Sequence, residues 1–134
     1  MRVRTRAREI ALQYLYQVDI TSEHSEEKLS EFIEHFVKDK DIVPYAGELI
    51  GGVYKNLIEI DELIDKSSNN WTVSRMTKTD RNILRIATFE LVYMSEMPYK
   101  VAINEAIELA KRYGSPKFPS FANGVLDRIS SGGH

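Results

Sequence analysis

Apolar residues fall at helical spacing along almost the whole 134-residue chain, and no segment alternates apolar with polar as a half-buried strand does. This restricts the fold to the all-α class, in which amphipathic helices bury their stripes against one another. Ala7, Ile10, Ala11, Tyr14, Leu15 and Val18 share one face of a first helix over about 5–18. Arg8, Leu12 and Tyr16 form a second stripe, well round from the core centre, that either meets a neighbouring helix or presents apolar surface to a partner. Ser25, followed by Glu26 and Glu27, caps a second helix that buries Leu29, Phe32, Ile33, Phe36 and Val37. Pro44 opens a longer third helix with Leu49, Val53, Leu57 and Ile64 inward and Ile50 and Ile60 at its edges. Gly51 and Gly52 inside it each cost up to about 1 kcal/mol relative to Ala, so close helix packing is the expected reason for them.

The segment WTVSRM reads as a short helical turn anchored by Trp71. Thr77 and Asp80 then resemble a capping box, with Asp in place of the usual Glu or Gln, and open a helix to about Ser95. A helix over about 100–113 buries Ile103, Ala106, Ile107 and Ala110 and stops at Gly114. The last helix follows Pro119 and holds Phe121, Val125, Leu126 and Ile129. About seven helical segments result, in a single domain over 1–134 whose two subunits, about 1–70 and 71–134, share a core; no linker divides them.

Charge is distributed unevenly behind a net value of −2: residues 1–18 carry +3, residues 19–65 carry −9 and residues 66–134 carry +4. The first block owes its sign to Arg2, Arg4, Arg6 and Arg8, at every second position of a helix start where the macrodipole is already positive. Clustered cations at bare helical N–H groups form a site for an anion, with phosphate the usual candidate; a solvated, frayed terminus is the other reading. An acidic middle between two basic ends points to a local nucleic-acid footprint on a protein that is not basic as a whole.

Other chemistries lack their residues. The chain has no cysteine, which rules out disulfides, thiolate ligands and a Cys nucleophile and suits a reducing cytoplasm. No apolar run reaches the roughly 20 residues that span a bilayer, and the segment after the arginines lacks a signal-peptide pattern. His24, His35 and His134 are too few and too scattered for a metal site, and no glycine-rich phosphate loop is present. Glu90 is the anomaly, because it interrupts the apolar stripe of Ile83, Ala87 and Met94. A carboxylate there must find donors or shift its pKa. A structural carboxylate satisfied by a nearby helix start is favoured over a general base, since no His, Ser nucleophile or second carboxylate is placed beside it. The acidic pairs, such as Asp61 with Glu62 or Glu105 with Glu108, read as solvated charge. Residue pattern alone thus favours a binding module with no catalytic residues, metal or cofactor.

Four blocks in order, AREIALQYLYQ at 7–17, ILRIATFEL at 83–91, PYKVAINEAIELAKRYG at 98–114 and FANGVLD at 121–127, strongly resemble the NusB family of transcription antitermination proteins, and the likeness extends over essentially the whole chain. The resemblance implies an all-helical fold of two packed three-helix bundles with an extra short helix. It implies a cytoplasmic bacterial protein that binds the boxA element of ribosomal RNA leader transcripts. The RNA is held jointly with NusE, a ribosomal protein of the small subunit, inside an antitermination complex on RNA polymerase.

Carried over by position, the resemblance places Arg4, Arg6 and Arg8 on the arginine-rich RNA motif, with Arg2 as an extension. Phe121 falls on an RNA-contact position, where stacking on a base competes with a role as a core aromatic. Tyr16 and Asp80 fall on partner-facing positions, Asp80 with a reach one methylene shorter than the familiar Glu. Lys117 and Phe118 replace a stretch that is commonly acidic or polar. A flexible arginine arm that folds against a single strand is the expected mode of binding. Monomer and homodimer are both compatible with the second apolar stripe. The alternative is a NusB-like RNA-binding domain of an rRNA cytosine methyltransferase.

Overall fold

The computed structural model describes Arg2–Gly132, apart from the side chain of Arg2. Seven α-helices cover most of it: α1 Arg2–Thr21, α2 Glu26–Phe36, α3 Val43–Lys55, α4 Leu57–Ser67, α5 Lys78–Tyr93, α6 Tyr99–Tyr113 and α7 Phe118–Ser131. A 3₁₀ turn, Val73–Arg75, lies between α4 and α5, and the described residues contain no strand. The fold is all-α, as the apolar spacing predicts.

Local chemistry sets most boundaries. Ser25 accepts a hydrogen bond from the Lys28 amide and Thr77 one from the Asp80 amide, each supplying an acceptor that the first turn of its helix lacks. Ser22, at φ 60°, turns the chain out of α1. Gly114 ends α6 for reasons of space: its φ is −83°, and a Cβ there would lie 2.8 Å from the Ala110 carbonyl oxygen and 2.9 Å from the Phe118 ring.

The expected long third helix is two helices. At Asn56 the backbone N–H and the side-chain Nδ2 both donate to the Gly52 carbonyl, at 3.2 and 2.9 Å, and the chain turns. α4 then leaves α3 and packs against α5 and α7. The turn brings Ile50 and Ile60, expected at helix edges, to the centre of the core, both fully buried. Phe36 departs the other way: α2 packs one-sidedly through Leu29 and Phe32, which leaves Phe36 47% exposed beside Phe32 and His35.

Helix α5 is the axis of the fold, packed against α1, α3, α4, α6 and α7, and every residue from Asn82 to Glu90 is buried. Two charged side chains of that stretch therefore need internal partners. Arg85 forms a bidentate pair with Asp61 of α4, both contacts at 2.9 Å, and reaches Asp19 of α1, which also accepts from Arg81 and Asn82 at 2.8 Å. Asp61, expected as solvated charge, is thus a clamp between helices.

The paired glycines of α3 differ in what surrounds them. A Cβ on Gly52 would run into the Phe89 ring of α5, whereas one on Gly51 would meet nothing within 4 Å. Gly52→Ala is expected to cost about 1–3 kcal/mol by overpacking. Gly51→Ala is expected to be neutral or to stabilise by up to about 1 kcal/mol through helix propensity. Urea midpoints of the two variants check this, and a larger loss at Gly51 would contradict it.

Candidate nucleic-acid interface

The arginine-bearing segment is helical from Arg2, so the expected flexible arm is instead the first two turns of α1, without an acidic residue in the opening turn. A two-residue step on a helix turns through about 200°, which deals alternate arginines to different sides. Arg4 and Arg8 share a row on which both guanidinium groups approach the Tyr45 ring, at 4.9 and 5.7 Å from its centroid. Their surroundings diverge after that. Arg4 is exposed at the rim, while Arg8, one turn deeper, is 2% exposed.

Arg8 is consumed by the core. Its Nε donates to both Glu90 oxygens, at 3.1 and 2.9 Å, and its Nη1 donates to Glu105 of α6 at 3.0 Å. The Tyr45 hydroxyl also donates to Glu90, and Thr5 donates to Glu105 at 2.8 Å. Burial pushes the Glu90 carboxyl above the usual carboxylate range, against the pull of the Arg8 charge and of the hydrogen bonds from Tyr45 and Arg8. The donors that satisfy Glu90 are therefore side chains of α1 and α3 rather than the helix start expected from sequence. Glu105 is likewise a partner of α1 and not solvated charge.

Arg6 occupies the other row and stays accessible, its side chain 53% exposed and 3.0 Å from Glu9. Glu9 also accepts from Arg112 at 2.6 Å and from the Tyr113 hydroxyl at 3.0 Å. Burial raises the Glu9 carboxyl, but the hydrogen bonds from Arg6, Tyr113 and Arg112 outweigh it and hold the group below its ordinary value. Arg6 can leave this cluster at little cost, because an exposed ion pair is worth about 1 kcal/mol or less and Glu9 keeps two donors. Arg6 and Arg112 thus make a cationic edge where α1 meets the end of α6, with Arg4 exposed round the helix on the Tyr45 side. The side chain of Arg2 lies outside the described residues.

The remaining candidates are placed less uniformly. Tyr16, 41% exposed, borders a cleft of about 250 Å³ with Arg6, Glu9, Leu12, Thr79 and Tyr113. Asp80 faces inward: it is 4% exposed and accepts from the Ser115 amide and hydroxyl at 3.2 and 2.7 Å. It closes the loop between α6 and α7 and does not present its carboxylate outward. Phe121 is half-buried, its ring centroid 5.2 Å from that of Trp71 and 6.2 Å from that of Phe118. Sequence reasoning missed Tyr45, Glu105 and Arg112 as members of this region. Only the anomaly of Glu90 announced that buried hydrogen-bond donors had to be near.

A family model described as the NusB family matches residues 5–131. The chain belongs to the NusB family. Transcription antitermination protein NusB of Anaeromyxobacter dehalogenans is 48% identical over 130 residues, covering 96% of this chain and 91% of the relative. NusB of T. maritima superposes with a TM-score of 0.85 at 37% identity, over 95% of this chain and 89% of that one. A crystal structure of the antitermination factors NusB and NusE in complex with dsRNA matches with a TM-score of 0.86 at 31% identity, over 98% of both chains.

Proposed function

We infer that the chain is a transcription antitermination factor that binds boxA RNA of ribosomal RNA leader transcripts together with the ribosomal protein NusE, within an antitermination complex on RNA polymerase. The observation that carries this reading is the exposed Arg4 and Arg6 side chains at a helix start without an acid in its opening turn, on a fold that superposes over nearly its full length on a NusB seen with NusE and RNA. The RNA set is Arg4 and Arg6, with Arg112 beside Arg6. Arg8 supports them by anchoring α1 through Glu90 and Glu105, and Asp80 supports the α6–α7 loop. The protein performs no bond-making step and acts in the cytoplasm, where leader transcripts are made. None of its described helices is long and apolar enough to cross a membrane. The methyltransferase alternative is not favoured, because the relatives matched over 89–98% of their own length are antitermination factors.

Tyr16 and its cleft are the proposed surface for NusE, since the cleft is apolar at Leu12 and lies next to the cationic edge. A shift assay with boxA RNA and a scrambled control, with and without NusE, tests the whole reading. Preference for boxA that strengthens with NusE is expected; equal binding of both RNAs contradicts it. Tyr16→Asp is expected to abolish NusE capture and to lower intrinsic RNA affinity only modestly. Intact NusE capture with lost RNA binding would show that the two surfaces are exchanged.

A further inference from the structure

We propose that Trp71 is a nucleobase-stacking platform, with Phe121 as the ring that holds it and Arg75 and Lys117 as flanking cations for the backbone; the inference rests on the RNA reading and adds a base-contacting site to it. The platform is built by the connection between α4 and α5. Asn69 and Asn70 both take left-handed conformations, at φ 49° and 73°, which asparagine tolerates better than most residues. They lift Trp71 out of the helical path. The indole N–H then donates to the Arg75 carbonyl at 3.3 Å, and the Arg75 guanidinium donates back to the Asn70 carbonyl at 3.3 Å, so the loop is closed on itself and the ring plane is fixed.

The two aromatic rings have unequal access. Phe121 is half-buried and packs against the hydrophobic core, whereas Trp71 is 50% exposed. Their centroids are 5.2 Å apart with the planes tilted by 46°. A base sandwiched between them would need about 7 Å, two carbon contact distances, so the rings do not form a slot. A base is received on the open side of Trp71, and Phe121 braces the ring from the other. This reverses the assignment that sequence makes to Phe121.

Charge at the site suits a polyanion. Arg75 and Lys117 are exposed beside the indole, and the nearby acids are occupied: Asp65 accepts from the Val73 amide at 2.7 Å and Asp80 from Ser115. The site also continues the cationic edge. Thr79 and Tyr113 border the cleft that contains Arg6, and Asp80 and Ser115, one and two residues further along the chain, border the cleft that contains Trp71, Lys117 and Phe121. A strand held at Arg4 and Arg6 can pass the end of α6 and place a base on Trp71. Stacking tolerates any base, and the cations carry the backbone.

Trp71 is the only tryptophan, so its fluorescence reports the site directly. Adding a boxA RNA oligonucleotide to the intact protein is expected to quench it, and adding polyphosphate is not. Trp71→Ala is expected to weaken RNA binding about 5- to 100-fold with an unchanged salt slope, and Trp71→Phe to retain most of the affinity. RNA that binds the wild type without quenching, or that binds Trp71→Ala equally well, overturns the platform and leaves the RNA reading standing. Quenching by NusE alone overturns it in favour of a protein contact. Failure of the wild type to bind RNA at all overturns both.

Discussion

Arg8→Ala is expected to lose about 3–5 kcal/mol of unfolding free energy in urea titrations, the cost of stripping one partner from a buried ion pair. The variant leaves Glu90, 1% exposed, with the Tyr45 hydroxyl as its remaining donor, and leaves Glu105 tied to α1 through Thr5 alone. Removing both charges is a different experiment. Arg8→Met with Glu90→Leu eliminates the desolvated ions together and is expected to be near neutral or stabilising. Arg4→Ala removes a guanidinium at the rim whose contact is the Tyr45 face, and is expected to cost no more than about 1 kcal/mol. Equal losses for Arg4→Ala and Arg8→Ala would contradict the division of the arginines into surface and core.

The pH dependence follows from Glu90. Its folded pKa lies above the unfolded one, so the stability it contributes is fully present below the unfolded value, about 4.3, and is lost as pH rises through the folded value. Removing Arg8 takes away the main charge that opposes this shift. The deficit of Arg8→Ala is therefore expected to be small near pH 4 and to widen toward pH 7, as measured by urea midpoints across that range.

The fold was legible where one residue decides a boundary or one stripe decides a face. Ser25 and Thr77 announce their helices, and the apolar faces of α1, α6 and α7 could be read from spacing. The break between α3 and α4 was not, because Asn56 sits among apolar residues whose period runs through it, and its double hydrogen bond to Gly52 is visible only in three dimensions. Glu90 was recognisable as an anomaly, but its partner was hidden in plain view. Arginines at alternate positions look like an extended arm, and only once the segment is helical does a two-residue step separate Arg6 from the Arg4–Arg8 row. Asp80 and Asp61 looked like surface acids because sequence carries no record of the loop or helix that folds onto them. Trp71 was noticed as an anchor; its exposure depends on two left-handed asparagines that composition does not reveal.

The second large effect concerns Arg4 and Arg6 together. On the proposed RNA reading each makes a charge-assisted contact to phosphate worth about 1.5 kcal/mol or more, so Arg4→Ala with Arg6→Ala is expected to weaken boxA RNA binding about a hundred-fold at low salt while leaving the urea midpoint little changed. Part of the Arg6 contribution offsets the loss of its pair with Glu9, which Arg112 and Tyr113 retain.

The salt dependence of RNA binding separates the two kinds of arginine. For single-stranded RNA each phosphate contact contributes about 0.7 to the slope of log K against log salt, so the Arg4, Arg6 double variant should bind with a slope shallower by about 1.4. Arg8→Met with Glu90→Leu should keep the wild-type slope, because its guanidinium is spent on carboxylates inside the fold. An unchanged slope in the first variant, or a shallower one in the second, would contradict the account.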